Sequence, residues 1–401
     1  MICVGIDAAS KKHDVCIYES SVERVVARLR IKNTADDYKK LRDTIWAIRG
    51  NENADVRVGV ESTGAYSGAL VDYLSDAGGM TVIHINPLLT SMYQKCTKVH
   101  YAKTDKIDAE GIARFLRSGP KVREYTPPSY TQSKCREIYR AIVDADKEIA
   151  RLSCRIKSLL SLNFPEFIGV FSRPKERLPL FILSHYDMAS LSRKRAETLA
   201  SEAAKALHLS KKPVSKCRAA IQAAKSSVCA PQRYDKTLIS GAAKMLAVAL
   251  DCKQEALREG RPLVEEHAAN LLSIPGVGVT SVLGFVGELG EIDNFTSVDE
   301  IMSFMGMDPI VYESGDYKAK STRISKKGSP YLRNAFYVAS AVARLYCPVL
   351  KAKYEKKRSE GKSYRCALGH VARGLASMVF HLMKTGEFYV DKSITGQTPG
   401  E

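Results

Sequence analysis

The sequence predicts an α/β domain at the N-terminal end, followed by regions that are mostly helical. Short apolar runs alternate with helix-periodic segments over residues 1–120. A long run with an apolar residue at every third or fourth position follows, and the last third combines glycine-containing turns with apolar helical segments. We therefore expect three regions, spanning residues 1–125, 126–267 and 268–401.

The composition narrows the class of protein. Apolar residues make up 45% of the 401 residues, which excludes a disordered chain. The formal net charge of +17 favours a polyanionic partner such as nucleic acid, although ribosomal, membrane-surface and heparin-binding proteins share this sign. Neither a signal peptide nor an apolar stretch of bilayer length is recognised in the sequence. We expect a cytoplasmic protein with no membrane partner.

The first region begins with three predicted strands. Ile2–Ile6 is a continuous apolar run that suits a buried strand, and it ends at Asp7. Residues 13–18 and 24–31 follow as two further strands, joined by short polar turns.

Helices and strands then alternate. Thr34 is suited to cap a helix that reaches about Ile48, because its hydroxyl can accept an N–H bond and two aspartates follow it. The remaining elements are a strand over 56–60, a helix over 66–77, a strand over 80–85 and a helix over 105–116. Three strands, a helix and then alternating strands and helices are the element order of ribonuclease-H-like folds.

The middle region begins with a long predicted helix. An ordinary amphipathic helix on a core is one interpretation, but the apolar spacing of four and three favours a coiled coil over three heptads: Ile138, Ile142, Ala145, Ile149, Leu152, Ile156 and Leu159. A second pattern with this spacing runs from Leu238 to Ala256 and could return antiparallel against the first or bind a partner chain. The basic segment 166–232 between them carries no recognisable chemistry.

The third region opens with a glycine turn. Ile274-Pro275-Gly276-Val277-Gly278 precedes an apolar helix and resembles the turn of helix-hairpin-helix modules, in which backbone N–H groups approach a DNA phosphate. A helix–helix turn that merely requires glycine explains the pattern equally well. Gly276 and Gly278 are therefore candidate nucleic-acid contacts with an equally good packing explanation.

Four carboxylates lie where they could converge. Asp7 and Glu61 end predicted strands, and Asp105 and Asp108 lie three residues apart on one helix face. Clustered carboxylates repel one another unless a cation neutralises them, and Mg²⁺ or Mn²⁺ prefers such oxygen ligands. Two such ions would stabilise the attacking and leaving oxygens of a phosphodiester displacement. The alternative is that each acid is a turn or helix-cap residue.

A basic segment near the C-terminus carries a candidate nucleophile. From Val311 to Leu375 the chain has fifteen Lys or Arg residues and four Asp or Glu residues. Ser314 lies in a Ser-Gly turn there, and its hydroxyl could attack a phosphorus atom. A solvated basic face is the alternative explanation of the charge. The candidate phosphate contacts are Lys103, Arg323, Lys326, Lys327 and Arg333.

These blocks together resemble a known family. The sequence resembles insertion-sequence transposases that combine a RuvC-like DEDD domain with a C-terminal catalytic serine, the bridge-RNA-guided recombinases, and their pilin-gene-inverting relatives. The matching blocks follow the family order in both end regions: Gly5-Ile6-Asp7, Glu61-Ser62-Thr63-Gly64, Asn86-Pro87, Lys103-Thr104-Asp105-Lys106-Ile107-Asp108-Ala109, Ile274-Pro275-Gly276-Val277-Gly278, Gly306-Met307-Asp308-Pro309, Glu313-Ser314-Gly315, Ile324-Ser325-Lys326-Lys327-Gly328 and Leu332-Arg333.

The resemblance implies roles that spacing does not show. Asp7, Glu61, Asp105 and Asp108 would be the metal ligands, and Ser314 would form a transient phosphoserine bond to DNA. The protein would act on donor and target DNA with a structured guide RNA. It would form a dimer or tetramer through the coiled coil, with acids from one subunit and the serine from another. The middle segment is longer than in compact members of the family.

Other functions remain open from the residues themselves. A metal-dependent nuclease of the Holliday-junction type would use the acids without Ser314. A non-catalytic nucleic-acid-binding protein would use neither. An actin-like sugar kinase shares the strand order, but the sequence offers no convincing glycine pattern for adenosine beyond Gly64.

Overall fold

A computed structural model of the chain describes residues 1–50, 54–61, 66–97, 105–120, 122, 124–229, 236–310, 313–314, 317–318 and 323–391. The chain divides into two compact units, Met1–Pro127 (unit 1) and Pro128–Glu401 (unit 2).

Unit 1 is built on a five-stranded mixed sheet. The sheet order is β3-β2-β1-β4-β5, with strands β1 (Ile2–Ala8), β2 (Lys12–Glu19), β3 (Arg24–Lys32), β4 (Val56–Glu61) and β5 (Thr81–Ile85). The first three strands are antiparallel neighbours, whereas β4 and β5 continue the sheet in parallel with β1. This arrangement confirms the predicted α/β domain and its predicted element order of three strands, a helix and then alternating strands and helices.

Helices cover both faces of this sheet. Helices α1 (Ala35–Arg49) and α2 (Gly68–Asp76) pack on one face, and α1 has its predicted cap because the Thr34 hydroxyl accepts the Asp37 N–H at 3.4 Å. Helix α4 (Asp105–Arg117) packs on the other face, with α3 (Pro87–Thr97) beside it. The two faces therefore have separate apolar cores.

Unit 2 is mostly helical. Its elements are α5 (Tyr130–Asn163), α6 (Pro165–Val170), α7 (Arg177–His185), α8 (Met188–Ser192), α9 (Ala196–Leu207), α10 (Val214–Lys225), α11 (Lys236–His267), α12 (Ala269–Leu272), α13 (Val279–Leu289), a 3₁₀ turn (Ile292–Asn294), α14 (Val298–Phe304), β6 (Glu313–Ser314), β7 (Tyr317–Lys318), α15 (Pro330–Tyr346), α16 (Pro348–Ser359) and α17 (Tyr364–Thr385). One core joins the start of α5 and the end of α11 to the helices after residue 268. A second core joins the other halves of α5 and α11 to α6–α10.

The two long helices pack antiparallel within the chain. Lys134 of α5 pairs with Glu259 of α11 at 2.6 Å, and Asp146 pairs with Lys253 at 2.6 Å. Ile138, Ile142, Ile149, Leu152 and Ile156 of the first predicted seam are buried in the two cores of unit 2, to which the same chain's α11 contributes. Of the two alternatives for the second pattern, the structure therefore contains the antiparallel return.

The second predicted seam is wrong in register. Leu238 and Met245 are 43% and 59% exposed, whereas Ile239 and Leu246, one position later, are fully buried. The reason is that α11 packs against α7 as well as α5, so two neighbours and not one heptad partner select its buried face.

Helix α17 differs from the sequence expectation in another respect. Within the described part of the chain it is the one helix long and apolar enough to cross a membrane by length and composition. Its inner residues Val371, Leu375 and Val379 are fully buried in the core of unit 2. Burial inside the fold accounts for this apolar stretch.

Candidate active site

Helix α4 lies directly on β1 and β4 because both strands have glycine where the helix crosses them. A Cβ added to Gly5 would lie 2.1 Å from the Ala109 carbonyl oxygen and 2.5 Å from the Ala113 nitrogen. A Cβ added to Gly59 would lie 2.9 Å from a Leu116 methyl group. The absence of side chains at these two positions allows the close approach of helix and sheet.

Asp7 and Glu61 lie on the face of the sheet that α4 covers. Side chains alternate along a strand, so Asp7 shares the face of Gly5 and Glu61 shares the face of Gly59. Ile6 pairs with Val60 in parallel register, so the two acids that follow lie at the ends of neighbouring strands. Both acids are half-buried at this edge of the sheet.

The first turn of α4 points toward the same edge. Arg117, in the last turn, donates to the Tyr18 hydroxyl at 2.9 Å, and Tyr18 lies beside the start of β1. The helix therefore runs opposite to β1. Its first turn, which carries Asp105 and the half-buried Asp108, lies toward the strand end that carries Asp7.

Thr90 holds the Glu61 carboxylate. The Thr90 hydroxyl, which is 1% exposed, donates to Glu61 Oε1 and also lies 3.0 Å from the Pro87 carbonyl oxygen. Sequence analysis missed this contact, because the sequence does not show that this threonine in the first turn of a helix would contact Glu61. The orientation of Glu61 thus depends on α3.

Asp14 is a further acid on this face that sequence analysis missed. It pairs with Asp7 across β1 and β2 and is 5% exposed. Arg30, its neighbour on β3, donates its Nε–H to Asp14 Oδ1 at 3.1 Å, and its Nη2 lies 3.0 Å from the same oxygen as an ion pair. The register of the β1–β2 hairpin was the available signal, since a hairpin fixes which residues face each other.

The acids at this edge have the chemistry that a hard divalent cation requires. Asp7, Glu61 and Asp108 offer carboxylate oxygens, which Mg²⁺ and Mn²⁺ prefer. Among the described side chains, no group of three or more His, Cys, Asp or Glu residues lies close enough to hold a metal ion. The side chain of Asp105, the fourth predicted ligand, lies outside the described part of the chain. The donor types fit a metal, and the four-ligand site stays a prediction.

In unit 2, Ser314 lies on a short hairpin. Strands β6 and β7 are antiparallel, and Ser314 pairs with Tyr317 through the backbone. At the base of the hairpin the Ile310 N–H donates to the Arg323 carbonyl at 2.8 Å, and Pro309 forms a bridge with Ile324. The side chain of Ser314 lies outside the described part of the chain.

The base of this hairpin is tightly packed. Gly306 has a positive φ of 66°, and a Cβ at Gly328 would lie 2.0 Å from the Phe304 carbonyl oxygen. The Ser325 hydroxyl donates to Asp308 Oδ1 at 2.5 Å. These contacts fix the two chain segments from which the hairpin extends.

An ion pair with a buried carboxylate connects this region to α5. The Glu288 side chain is 4% exposed and accepts two bonds from Arg140, at 2.7 and 3.1 Å. Ser329, the N-cap of α15, donates its hydroxyl to Glu288 at 3.1 Å. The buried carboxylate is thus both paired and hydrogen-bonded, which is the condition for keeping a charge inside a protein.

The predicted phosphate contacts have different surroundings. Arg323, Lys326 and Lys327 are exposed beside the hairpin, where a polyanion can reach them. Arg333 is half-buried, and its Nη1 donates to the Met305 carbonyl oxygen at 2.8 Å, so it has a structural contact. Lys103 lies outside the described residues.

The glycine turn before α13 packs against α15. Gly276 has a φ of 86°, and a Cβ there would lie 2.7 Å from the Ala343 Cα. This packing accounts for the glycine without any ligand. Gly278 is exposed as the N-cap residue of α13. A DNA contact at either glycine stays a prediction.

Proteins of insertion elements resemble nearly the whole chain. A protein of the mini-circle element IS117 of Streptomyces coelicolor is 24% identical over 402 residues, covering 96% of this chain and 94% of its own length. An uncharacterized 42 kDa protein of insertion element IS900 of Mycobacterium paratuberculosis is 24% identical over 417 residues, covering 97% of each.

Two solved structures of RuvC from Thermus thermophilus align with 31% of this chain. One of them, in complex with a Holliday junction substrate, is 14% identical with a TM-score of 0.23 and is covered over 99% of its length. The other is 13% identical with a TM-score of 0.24 and is covered over 100%.

Two family models match the chain in separate segments. Residues 4–165 match the model of the DEDD transposases of IS110 type, and residues 268–355 match that of the transposase IS116/IS110/IS902 family. Residues 166–267 lie between the two matches. The two matches lie at the two ends of the chain and identify a transposase similar to those of the IS110/IS116 family.

Proposed function

We propose that this transposase cuts and rejoins DNA through a phosphoserine intermediate formed by Ser314, with divalent cations held at the acidic edge of unit 1. The observation that carries the proposal is the shared location of Asp7, Glu61 and the first turn of α4 at one edge of the sheet. Carboxylates that share one edge of a sheet repel one another, so a bound cation would stabilise this arrangement.

The proposed reaction conserves the phosphodiester bond energy. The Ser314 oxygen attacks phosphorus, the serine–phosphorus bond forms, and the bond to the 3′ oxygen breaks. The hydroxyl proton is lost from serine, and the departing 3′ oxygen takes up a proton. Attack by a 3′ hydroxyl of another strand reverses these changes and restores serine, so joining requires no ATP.

The acids of unit 1 have the proposed role of ligands. Asp7, Glu61, Asp105 and Asp108 would hold Mg²⁺ or Mn²⁺, and bound ions would supply positive charge to the attacking and leaving oxygens. Thr90 would keep Glu61 oriented through its hydrogen bond. The packed base of the β6–β7 hairpin would limit the motion of Ser314, which favours a defined attack geometry.

We also propose donor DNA, target DNA and a structured guide RNA as partners. The exposed side chains of Arg323, Lys326 and Lys327 support phosphate contacts, and the net charge of +17 supports a polyanionic partner in the nucleoid. The guide RNA rests on the family resemblance of the sequence blocks. Base pairing would then select the site, as in other RNA-guided systems.

The proposed assembly is a dimer or tetramer with acids from one subunit and Ser314 from another. The α5 seam is not the surface that we propose for this assembly, because it is buried in the cores that α11 of the same chain completes. A contact elsewhere on the chain must hold the subunits together. A heterodimer of two inactive variants, Asp7→Asn and Ser314→Ala, should regain activity if the sites are composite.

The central experiment is to trap the covalent intermediate. The full chain is incubated with labelled DNA that carries the joined ends of the element, RNA transcribed from its flank, and Mg²⁺, and is then denatured. A labelled protein band is expected for the wild type and for Ser303→Ala, an exposed serine on α14, and no band for Ser314→Ala. Cleavage without a protein adduct would identify a metal-dependent nuclease instead.

A matched pair tests the acids. Asp7→Asn should abolish cleavage, whereas Asp76→Asn, an exposed acid at the end of α2, should retain it. Chelation with EDTA should reproduce the Asp7→Asn result. Nucleic-acid binding without cleavage under any metal condition would contradict the enzymatic proposal and favour a binding protein.

A further inference from the structure

A row of charged residues crosses three strands beside the acidic edge of unit 1, where Asp7 and Glu61 lie. The strand register pairs Asp7 with Asp14 and Asp14 with Arg30. Neighbouring strands lie about 4.8 Å apart, so the row spans about 10 Å from the first carboxylate to the guanidinium. Two negative charges and one positive charge thus lie side by side.

The side chains of this row share the face that α4 covers. Cys16 accepts a hydrogen bond from Arg28, which also binds Glu110 of α4 at 2.6 Å. Asp14 and Arg30 lie two residues from Cys16 and Arg28 on the same strands, so their side chains point to the same face. No β-bulge separates them, because the register shift of this strand pair lies at Ile17 and Tyr18.

The row contains an unfavourable contact that Arg30 offsets. Like charges directly opposite each other in a sheet are destabilising, and Asp14 faces Asp7 in this way. Asp14 is 5% exposed, so solvent screens its charge little. Arg30 forms an ion pair with Asp14 and donates its Nε–H to it, but the Arg30 side chain is 51% exposed, so solvent screens the effect of its positive charge on more distant groups.

We propose that Asp14 and Arg30 are positioning residues that set the affinity of the acidic edge of unit 1 for divalent cations. The buried Asp14 carboxylate raises the affinity by adding negative charge next to Asp7. Arg30 limits the affinity by neutralising Asp14, and it allows the metal-free sheet to fold with two facing carboxylates. This inference rests on the proposed function, because it requires a cation at Asp7.

The test measures Mn²⁺ binding to the full chain, with free Mn²⁺ counted by its electron paramagnetic resonance signal and unfolding temperature recorded in parallel. Asp14→Asn should weaken Mn²⁺ binding by roughly tenfold, in the range of outer-sphere partners of metal sites. Arg30→Gln should have the opposite effect and tighten binding about three- to tenfold, while lowering the unfolding temperature of the metal-free protein.

The adjacent ion pair provides a matched control. Arg28 pairs with Glu110 at 2.6 Å on the same face, and its side chain is 47% exposed, close to the value for Arg30. Its neighbour toward β1 is Cys16 and then Gly5, so it faces no carboxylate in the sheet. Arg28→Gln should therefore lower the unfolding temperature while it changes Mn²⁺ affinity by less than about twofold.

The outcomes separate this inference from the proposed function. Equal Mn²⁺ binding by the wild type and Asp7→Asn would overturn the metal site and the inference with it. Loss of binding in Asp7→Asn together with shifts of the same sign in Asp14→Asn and Arg30→Gln, or no shift in either, would overturn the inference alone. If Asp14→Asn fails to fold, the tightening expected for Arg30→Gln decides the question.

Discussion

Substitution of Gly5 by alanine tests whether close contact between helix α4 and strand β1 builds the acidic edge. The added Cβ would lie 2.1 Å from one backbone atom of α4 and 2.5 Å from another. Real Cβ atoms do not approach backbone oxygens this closely, so the helix must retract by about 1 Å or more, which forfeits a quarter to a half of each contact across the interface.

The cost follows from what the contact buries. Ile112 and Leu116 of α4 are fully buried against the sheet, and backbone atoms cannot move aside as a flexible side chain can. We expect a loss of about 3 kcal/mol in the free energy of unfolding of unit 1, at the upper end for overpacked cores. With a urea m-value of about 2 kcal/mol/M, the midpoint should fall by about 1.5 M.

The chain has one tryptophan, Trp46, and it lies on α1 in unit 1. Its fluorescence therefore follows the unfolding of unit 1 without a contribution from unit 2. Gly68→Ala is the matched control, because this glycine begins α2 and has no atom within 4 Å of its ideal Cβ position. The control should be neutral or slightly stabilising.

The Gly5→Ala variant should also lose strand cleavage, since retraction of α4 moves Asp105 and Asp108 away from the sheet edge. A urea midpoint within about 0.3 M of the wild type would refute the reasoning, because overpacking against backbone should cost more. A stable variant with normal cleavage would show that the acids do not depend on this approach of helix and strand.

Three further predictions concern other parts of the structure. Thr90→Val removes the hydroxyl that holds Glu61, so it should cost about 1 kcal/mol in stability and reduce DNA cleavage, and unchanged cleavage would contradict the positioning role. Gly328→Ala places a Cβ 2.0 Å from the Phe304 carbonyl oxygen, so the protein–DNA adduct should disappear while the tryptophan-detected unfolding of unit 1 stays unchanged. Burial lowers the pKa of His13 below 6.5, so its contribution to stability is present above about pH 6.5 and is lost as the pH falls toward the folded-state pKa. The urea midpoint of unit 1 should therefore decrease as the pH is lowered from 7 to 5, and the decrease should be smaller in His13→Gln. An equal decrease in both proteins would contradict this role of His13.

Much of unit 1 could be predicted from sequence because its signals are local. Runs of β-branched residues ended at Asp7 and Glu61, and a capping threonine preceded α1. These patterns depend on neighbours along the chain, so they can be recognised without knowledge of the fold. The order of the elements then restricted the sheet to few topologies.

The contacts that complete the candidate site could not be predicted in this way. Asp14 becomes significant only through the register that pairs it with Asp7 and Arg30, and Thr90 only through the packing of α3 beside β4. The wrong prediction that Leu238 is buried has the same origin, because packing against two neighbouring helices determines which face of α11 is buried. These contacts and buried faces are determined by tertiary packing, which can differ from the pattern that apolar periodicity predicts.

Residues 166–267, between the two family matches, form a folded part of unit 2 and are not a linker. Helix α5 runs without interruption for 34 residues, which corresponds to about 50 Å at 1.5 Å per residue. Its residue Ile142 lies in one core and Ile149 in the other, and α11 passes through both cores in the opposite direction. Because the same two helices form both cores, helices α6–α10 are attached through continuous helical backbone to the core that packs at the base of the β6–β7 hairpin.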